Sequence, residues 1–149
     1  MRNRISNIFC ILIVLTFLNG CVQLNGMTGN MFIMSEAKES ALGVELAAQI
    51  EKEYTIYHGD PAATRYIENL GQRLVAASPI VSPQQFHFQL VDSEDVNAFA
   101  IPGGWCYVNL GLLRQAETES ELASVIAHEV GHVTARHGAK SVSLSLIHI

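Results

Sequence analysis

The chain has 149 residues, of which 49% are hydrophobic and 15% are charged, and its formal net charge is −5. This length predicts one domain that is large enough to bury a hydrophobic core. Because the charge balance is acidic and no basic cluster is present, we expect no nucleic-acid partner.

The first twenty residues are typical of a bacterial export signal. Arg2 and Arg4 precede an apolar stretch at residues 8–18, which is short for a membrane span but suits a signal peptide. The letters LNGC that follow resemble a lipobox, the motif that directs lipid onto a cysteine. We therefore predict a lipoprotein signal peptide at residues 1–20 and lipidation of Cys21. Ordinary secretion and an uncleaved anchor are the alternatives.

Residues 21–34 carry no charge and predict a tether between a lipid and the folded domain. Val22 and Gln23 follow the lipobox cysteine, where lipoproteins retained in the inner membrane carry an Asp. The pattern favours an outer-membrane lipoprotein on the periplasmic side, attached to the membrane through its lipid anchor.

Two helices are predicted before the sheet, at residues 35 to about 57 and residues 60 to about 77. Asp60 and Pro61 suit the N-cap and the first position of the second helix. The first helix has an apolar residue at every fourth position, which predicts one packing face: Leu42, Leu46, Ile50 and Tyr54.

Three short β-strands are predicted next. Runs rich in aromatic and β-branched residues lie at 86–91, 96–101 and 105–108, and a Pro-Gly-Gly turn at 102–104 joins the last two as a hairpin. Cys106 is predicted to be a small core residue without a disulfide. Because helices and strands do not alternate as βαβ units, the predicted fold class is α+β.

The strongest chemical signal is an HExxH motif inside a predicted helix at residues 118–138. On a helix, residues four apart lie on one face, so His128 and His132 can direct two imidazoles at one metal ion. Glu129 is rotated by about 100° from His128, which suits a general base beside the metal.

Both ends of this helix have recognisable signals. Thr118 and Glu121 fit a capping box, and Gly138 suits the C′ position where a helix stops. His137 lies five residues after His132, off the ligand face, and is predicted to be a C-terminal cap rather than a ligand.

Zinc is the metal that this pattern predicts, because two imidazoles and a third oxygen ligand leave one position open, as in catalytic zinc sites. Such an ion activates water and polarises a scissile carbonyl, while Glu129 takes the proton and passes it to the leaving amine. The expected reaction is the hydrolysis of peptide bonds.

Three stretches occur in order: SEAKESALGVELAAQIEKEY, NAFAIPGGWCYVNLGLL and HEVGHVTARHG. Together they resemble the bacterial lipoprotein and periplasmic branch of the HtpX/CAAX-protease-type zinc metallopeptidases, which are gluzincins. The likeness covers residues 35–141 and implies a zincin-like metallopeptidase domain there, with helices packed on a small mixed or antiparallel sheet.

The resemblance also implies roles for particular residues. His128 and His132 would bind one Zn2+ ion, and Glu129 would be the catalytic base. Unfolded or misassembled cell-envelope proteins are the expected substrates. The rim of the substrate-binding cleft would be formed by the strand residues Asn97, Ala98, Phe99 and Ala100.

The family has a third zinc ligand, a glutamate on a later helix, that this chain lacks. No Asp or Glu follows Glu129. The residues from Leu144 to Ile149 match the translation of a transposon end used in sequencing libraries. We therefore expect a fragment truncated at its C-terminus, with a non-native or disordered tail at 142–149 and little activity of its own.

A second class of function is open as well. A non-catalytic lipoprotein could bind unfolded partners through the cleft strand and the helices, as a chaperone-like module for outer-membrane protein assembly. That function needs only the scaffold, whereas the zinc endopeptidase needs Glu129 and the metal.

Overall fold

The structure is a computed structural model that describes residues 34–80 and 82–138. Four predicted features lie outside the described residues: the signal peptide, the lipidation of Cys21, the tether except Met34, and the tail at 142–149. Among the described helices, none combines the length and the apolar character that crossing a bilayer requires.

Helix α1 spans Glu36–Glu53 and begins at Ser35, whose side chain accepts a hydrogen bond from the Lys38 N–H. It ends about four residues before the predicted boundary. Beyond its end, the chain pairs with the sheet: the Tyr57 N–H donates to the Leu90 carbonyl at 2.9 Å. The pairing with β1 replaces the last predicted helical turn.

The face that α1 buries also differs from the prediction. Its fully buried residues are Glu39, Gly43 and Ala47, whereas the predicted stripe of larger residues is only partly buried. A Cβ atom on Gly43 would lie 2.3 Å from the Pro102 carbonyl oxygen. The helix therefore packs through small residues, because the backbone of the hairpin turn lies directly against it.

Helix α2 spans Pro61–Ala77, and its predicted bounds are confirmed. Asp60 accepts a hydrogen bond from the Ala62 N–H at 2.8 Å, and Pro61 occupies the first turn. Ile67 and Leu70 are buried in the core, so the helix packs through the face that carries them.

The sheet contains three strands: β1 (His87–Val91), β2 (Ala98–Ile101) and β3 (Trp105–Asn109). Their order is β1-β3-β2, with β1 parallel and β2 antiparallel to β3. The predicted strands are confirmed with small shifts at their ends, and the fold is α+β with a mixed sheet. The hairpin turn needs glycine, because Gly103 and Gly104 have φ angles of 85° and 93°.

Two further helices complete the described fold: α3 (Leu110–Gln115) and α4 (Glu119–Thr134). Helices α2 and α4 pack together on one face of the sheet and enclose the main core. That core includes Ile67, Leu70, Phe88, Leu90, Cys106, Val108, Leu122, Ile126, Val130 and Val133.

Helix α1 contacts the opposite face of the sheet. Phe99 alternates with the core-facing Ala98 and Ala100, so its side chain projects away from α4. Its ring lies 5.1 Å from that of Tyr107 and 6.0 Å from that of Tyr54, measured between centroids. Helices α1 and α4 thus contact opposite faces of the sheet, and β2 is an edge strand that contacts α4.

Candidate metal centre

The N-terminus of α4 is fixed by a cap and by side chains from α2. The Thr118 hydroxyl accepts from the Glu121 N–H at 3.2 Å, whereas the Glu121 carboxylate accepts from the Glu117 N–H rather than from the cap residue. Only half of the predicted capping box is therefore present. Glu119 in the first turn accepts from Arg73 at 2.8 Å and from the Tyr66 hydroxyl at 3.1 Å.

The apolar residues of α4 determine which way the HExxH motif faces. Four residues at helical spacing are buried: Leu122, Ile126, Val130 and Val133. This burial leaves His128 exposed and His132 partly exposed on one side of the helix, with Glu129 half-buried beside them. The packing of α4 thus places the two imidazoles where a metal ion and a substrate can reach them.

The two imidazoles converge. The Nε2 atoms of His128 and His132 lie 2.9 Å apart, and their rings are nearly perpendicular at 82°. Two nitrogens bound at about 2.0–2.1 Å to one tetrahedral zinc ion lie about 3.3 Å apart. The rings need to separate by only about 0.4 Å to share an ion, so this nitrogen pair fits a divalent metal such as zinc.

Glu129 points from α4 towards strand β2. Its carboxylate accepts a hydrogen bond from the Ala100 backbone N–H. Burial raises the pKa of Glu129 above its ordinary value, while the nearby His128 and the Ala100 N–H act in the opposite direction. A carboxylate with a raised pKa accepts a proton more readily, which is the property that a general base requires.

Strand β2 lies at an edge of the sheet. The Asn109 N–H donates to the Asn97 carbonyl at 3.0 Å, so hydrogen-bonded pairs with β3 fall at every second residue from Asn97. The backbone groups of Ala98 and Ala100 consequently face away from β3. This outward direction explains how the Ala100 N–H reaches Glu129. Substrate binding by residues 97–100 stays a prediction.

The C-terminus of α4 differs from the prediction. The helix ends at Thr134, and Arg136 rather than Gly138 adopts the left-handed conformation, with φ at 55°. The chain turns there and brings the Nδ1 atom of His137 to 2.9 Å from the Nδ1 atom of His132. His137 is therefore a neighbour of His132 at the ring nitrogen that faces away from His128, and the C-cap of the helix is Ala135 rather than His137.

A buried ion pair holds this turn. Glu39 on α1 is 1% exposed, and its carboxylate accepts from the Arg136 Nε atom at 2.7 Å. The guanidinium also donates to the Met34 carbonyl. Sequence reasoning missed this contact because 97 residues separate the two partners and Glu39 is typical of an exposed first turn.

Cys106 lies in the core, as predicted, and contributes no ligand. It is 2% exposed, and burial, with the charge of Glu129 as a second cause, raises the pKa of its thiol to about 12. Within residues 34–80 and 82–138, no group of three His, Cys, Asp or Glu side chains is placed to hold a metal ion. The described donor set therefore consists of His128 and His132.

A model of the family described as Peptidase family M48 matches residues 61–149, more than half of the chain. The chain belongs to peptidase family M48. The M48 match covers α2, the sheet and α4, whereas α1, which contributes Glu39, lies before its first residue.

The chain is similar to proteins whose names describe proteases. The chain is 43% identical over 110 residues to the beta-barrel assembly-enhancing protease of Yersinia pestis, which covers 73% of this chain and 22% of that protein. It is 46% identical over 84 residues to the Escherichia coli (strain K12) protein of the same name, covering 56% of this chain and 17% of that protein. It is 28% identical over 141 residues to Metalloprotease LoiP of Escherichia coli (strain K12), covering 89% of this chain and 54% of that protein.

Proposed function

We propose that this M48 chain carries the zinc-binding helix and the base of a metalloendopeptidase. His128 and His132 hold the ion, and Glu129 is the catalytic base. The observation that carries the proposal is the 2.9 Å approach of the two Nε2 atoms beside a half-buried carboxylate. Family membership and the protease names of the relatives support it.

The chemistry of the chain's own residues is proton transfer and substrate alignment. Zinc, when bound, activates water and polarises the scissile carbonyl. Glu129 takes a proton from the attacking water and delivers it to the leaving amine. The Ala100 N–H, which donates to the Glu129 carboxylate, fixes the orientation of that base relative to the edge strand.

Strand β2 is the proposed substrate-binding strand. Its outward backbone groups at Ala98 and Ala100 can pair with an extended peptide, which then becomes an added strand of the sheet. Such pairing selects segments that are free of their own secondary structure. This selection supports unfolded or misassembled polypeptides as substrates, since a folded protein seldom exposes an extended segment.

The proposed location is the periplasmic side of the bacterial outer membrane, with a lipid on Cys21. The support comes from the signal-like residues 1–20 and from the relatives that are named beta-barrel assembly-enhancing proteases. The proposed substrates are accordingly cell-envelope proteins, and the proposed activity is their quality control.

The test is cleavage of a urea-denatured outer-membrane protein by the full-length protein that the gene encodes. We expect cleavage that stops with a chelator, returns with zinc, and falls about 10²–10⁴-fold in Glu129→Gln, which is the range that loss of a general base costs. Glu45→Gln, at an exposed position on α1, is the matched control and should retain activity. Chelator-insensitive cleavage, or full activity of Glu129→Gln, would rule out the proposal.

The second candidate is a non-catalytic module that binds unfolded envelope proteins. One observation favours it: the described residues provide two candidate metal ligands rather than three. Retention of a denatured substrate without cleavage, with equal affinity in wild type and Glu129→Gln and no effect of chelator, would select this function over the protease.

A further inference from the structure

We propose that His137 is a positioning residue for His132, and that the Glu39–Arg136 ion pair holds it in place. The inference rests on the proposed metal site and assigns a neighbour to one of its ligands. The observation is the 2.9 Å separation between the Nδ1 atoms of His132 and His137, on the side of the His132 ring opposite to His128.

The two nitrogens of His132 face different partners. Its Nε2 atom faces His128, and its Nδ1 atom faces His137. A metal ligand needs a lone pair, so Nε2 must be unprotonated and the ring proton of neutral His132 must lie on Nδ1. His137 then accepts that proton in a hydrogen bond through its own Nδ1 and carries its proton on Nε2. The contact therefore favours the tautomer of His132 in which Nε2 is unprotonated and its lone pair can bind a metal ion.

The backbone turn makes this contact possible. Arg136 adopts φ of 55°, which is costly for a residue with a side chain. Its guanidinium is held by the carboxylate of Glu39 and by the Met34 carbonyl. Since Glu39 is almost fully buried, separating the pair would leave a charge without a partner. Helix α1 therefore fixes the turn that returns His137 to His132.

The first measurement is the tautomer of His132. It uses the full-length protein that the gene encodes, free of zinc, in detergent at pH 8. Two-bond 1H–15N correlations distinguish protonated from unprotonated ring nitrogens. We expect His132 to be protonated at Nδ1 in the wild type. In His137→Phe, which keeps a ring but no acceptor, we expect a mixture of both tautomers. His137→Asn, whose amide oxygen occupies a position similar to Nδ1, should restore the wild-type state.

The second measurement is zinc affinity, by competition with a coloured chelator. Removing the hydrogen-bond partner of a metal-binding histidine typically weakens affinity about 10- to 100-fold. We expect this loss in His137→Phe and recovery of most of it in His137→Asn. His58→Phe is the matched control, because His58 is an exposed histidine on the connection between α1 and α2.

Two outcomes would overturn the inference: a His132 that carries its proton on Nε2 in the wild type, or a His137→Phe variant with unchanged tautomer and zinc affinity within twofold. The metal site itself is judged separately with His128→Ala and His132→Ala. If these variants bind zinc as the wild type does, the proposed function fails. The tautomer comparison without zinc would still decide whether His137 positions His132.

Discussion

Cys106 shows how the core beneath the HExxH helix constrains a reactive group. Its thiol lies in the contact between β3 and α4, near the Glu129 carboxylate, and both burial and that charge disfavour the thiolate. Cys106 therefore adds no competing nucleophile near the proposed base.

We expect Cys106 to resist alkylation in the folded protein. With a pKa of about 12, only about one thiol in 10,000 is ionised at pH 8. The measurement is the rate of reaction with iodoacetamide, followed by mass spectrometry, in a variant that carries Cys10→Ser and Cys21→Ser. Reaction in 8 M urea is the control and should be complete within minutes. Rapid labelling of the folded chain would contradict the buried position.

At the scale of secondary-structure elements, both ends of α4 are held by distant side chains. Glu119 at its N-terminus contacts Arg73 and Tyr66 of α2, and Arg136 beyond its C-terminus contacts Glu39 of α1. The helix that carries the HExxH motif is thus fixed from two directions. The two contacts differ in burial, because the first is exposed and the second is enclosed.

The Glu119 contact predicts a small, pH-dependent stabilisation. Hydrogen bonds from Arg73 and Tyr66 lower the pKa of Glu119 in the folded protein. The stabilisation is therefore present above the unfolded pKa, near 4.5, and is lost as pH falls through the lower folded value. We expect Glu119→Gln to lower the Tm slightly at pH 7 and to have no effect at pH 2. Glu68→Gln on α2 is the control, and an equal loss at both pH values would contradict the linkage.

The Glu39–Arg136 contact predicts a larger effect. Arg136→Gln leaves the buried carboxylate of Glu39 without its cation, and such a loss costs about 3 kcal/mol of the free energy of unfolding. The double variant Glu39→Gln with Arg136→Gln removes both charges and should recover about 1–2 kcal/mol of that loss. Urea denaturation of the four proteins in this cycle measures the coupling. Additive losses would show that the two side chains act independently.

At the scale of the whole molecule, local signals predicted the elements and long-range contacts decided their ends. Asp60 and Pro61 set the start of α2 by themselves, because capping depends only on neighbouring residues. The end of α4 depends on Arg136, which takes its left-handed conformation in contact with Glu39, far away in sequence. A local sequence pattern does not reveal that contact, and for this reason the sequence predicts that the helix ends at Gly138.

The candidate site likewise combines features that local sequence predicts with features that depend on long-range contacts. The spacing of His128 and His132 is a property of one helix, so their convergence was predictable. The outward direction of the Ala100 N–H depends on the register between β2 and β3, and the approach of His137 depends on where the helix ends. Hydrophobic periodicity specifies neither the register between β2 and β3 nor the residue at which α4 ends. The convergence of His128 and His132 was therefore predictable from sequence, whereas the approach of His137 to His132 was not.

The whole chain of 149 residues should bind zinc weakly. Its donor set, His128 and His132, has no third partner among the described residues, and no Asp or Glu follows Glu129 in the sequence. Zinc at a concentration equal to its Kd stabilises the folded state by only about 0.4 kcal/mol, and zinc at ten times its Kd stabilises it by about 1.4 kcal/mol. We therefore expect the Tm to rise gradually as zinc is raised into the high micromolar range, without saturation at one equivalent.

Two variants serve as controls for this zinc titration. His128→Ala should abolish the rise in Tm, and His58→Ala should leave it unchanged. Saturation at one zinc per chain in the nanomolar range would show that a third ligand is already present.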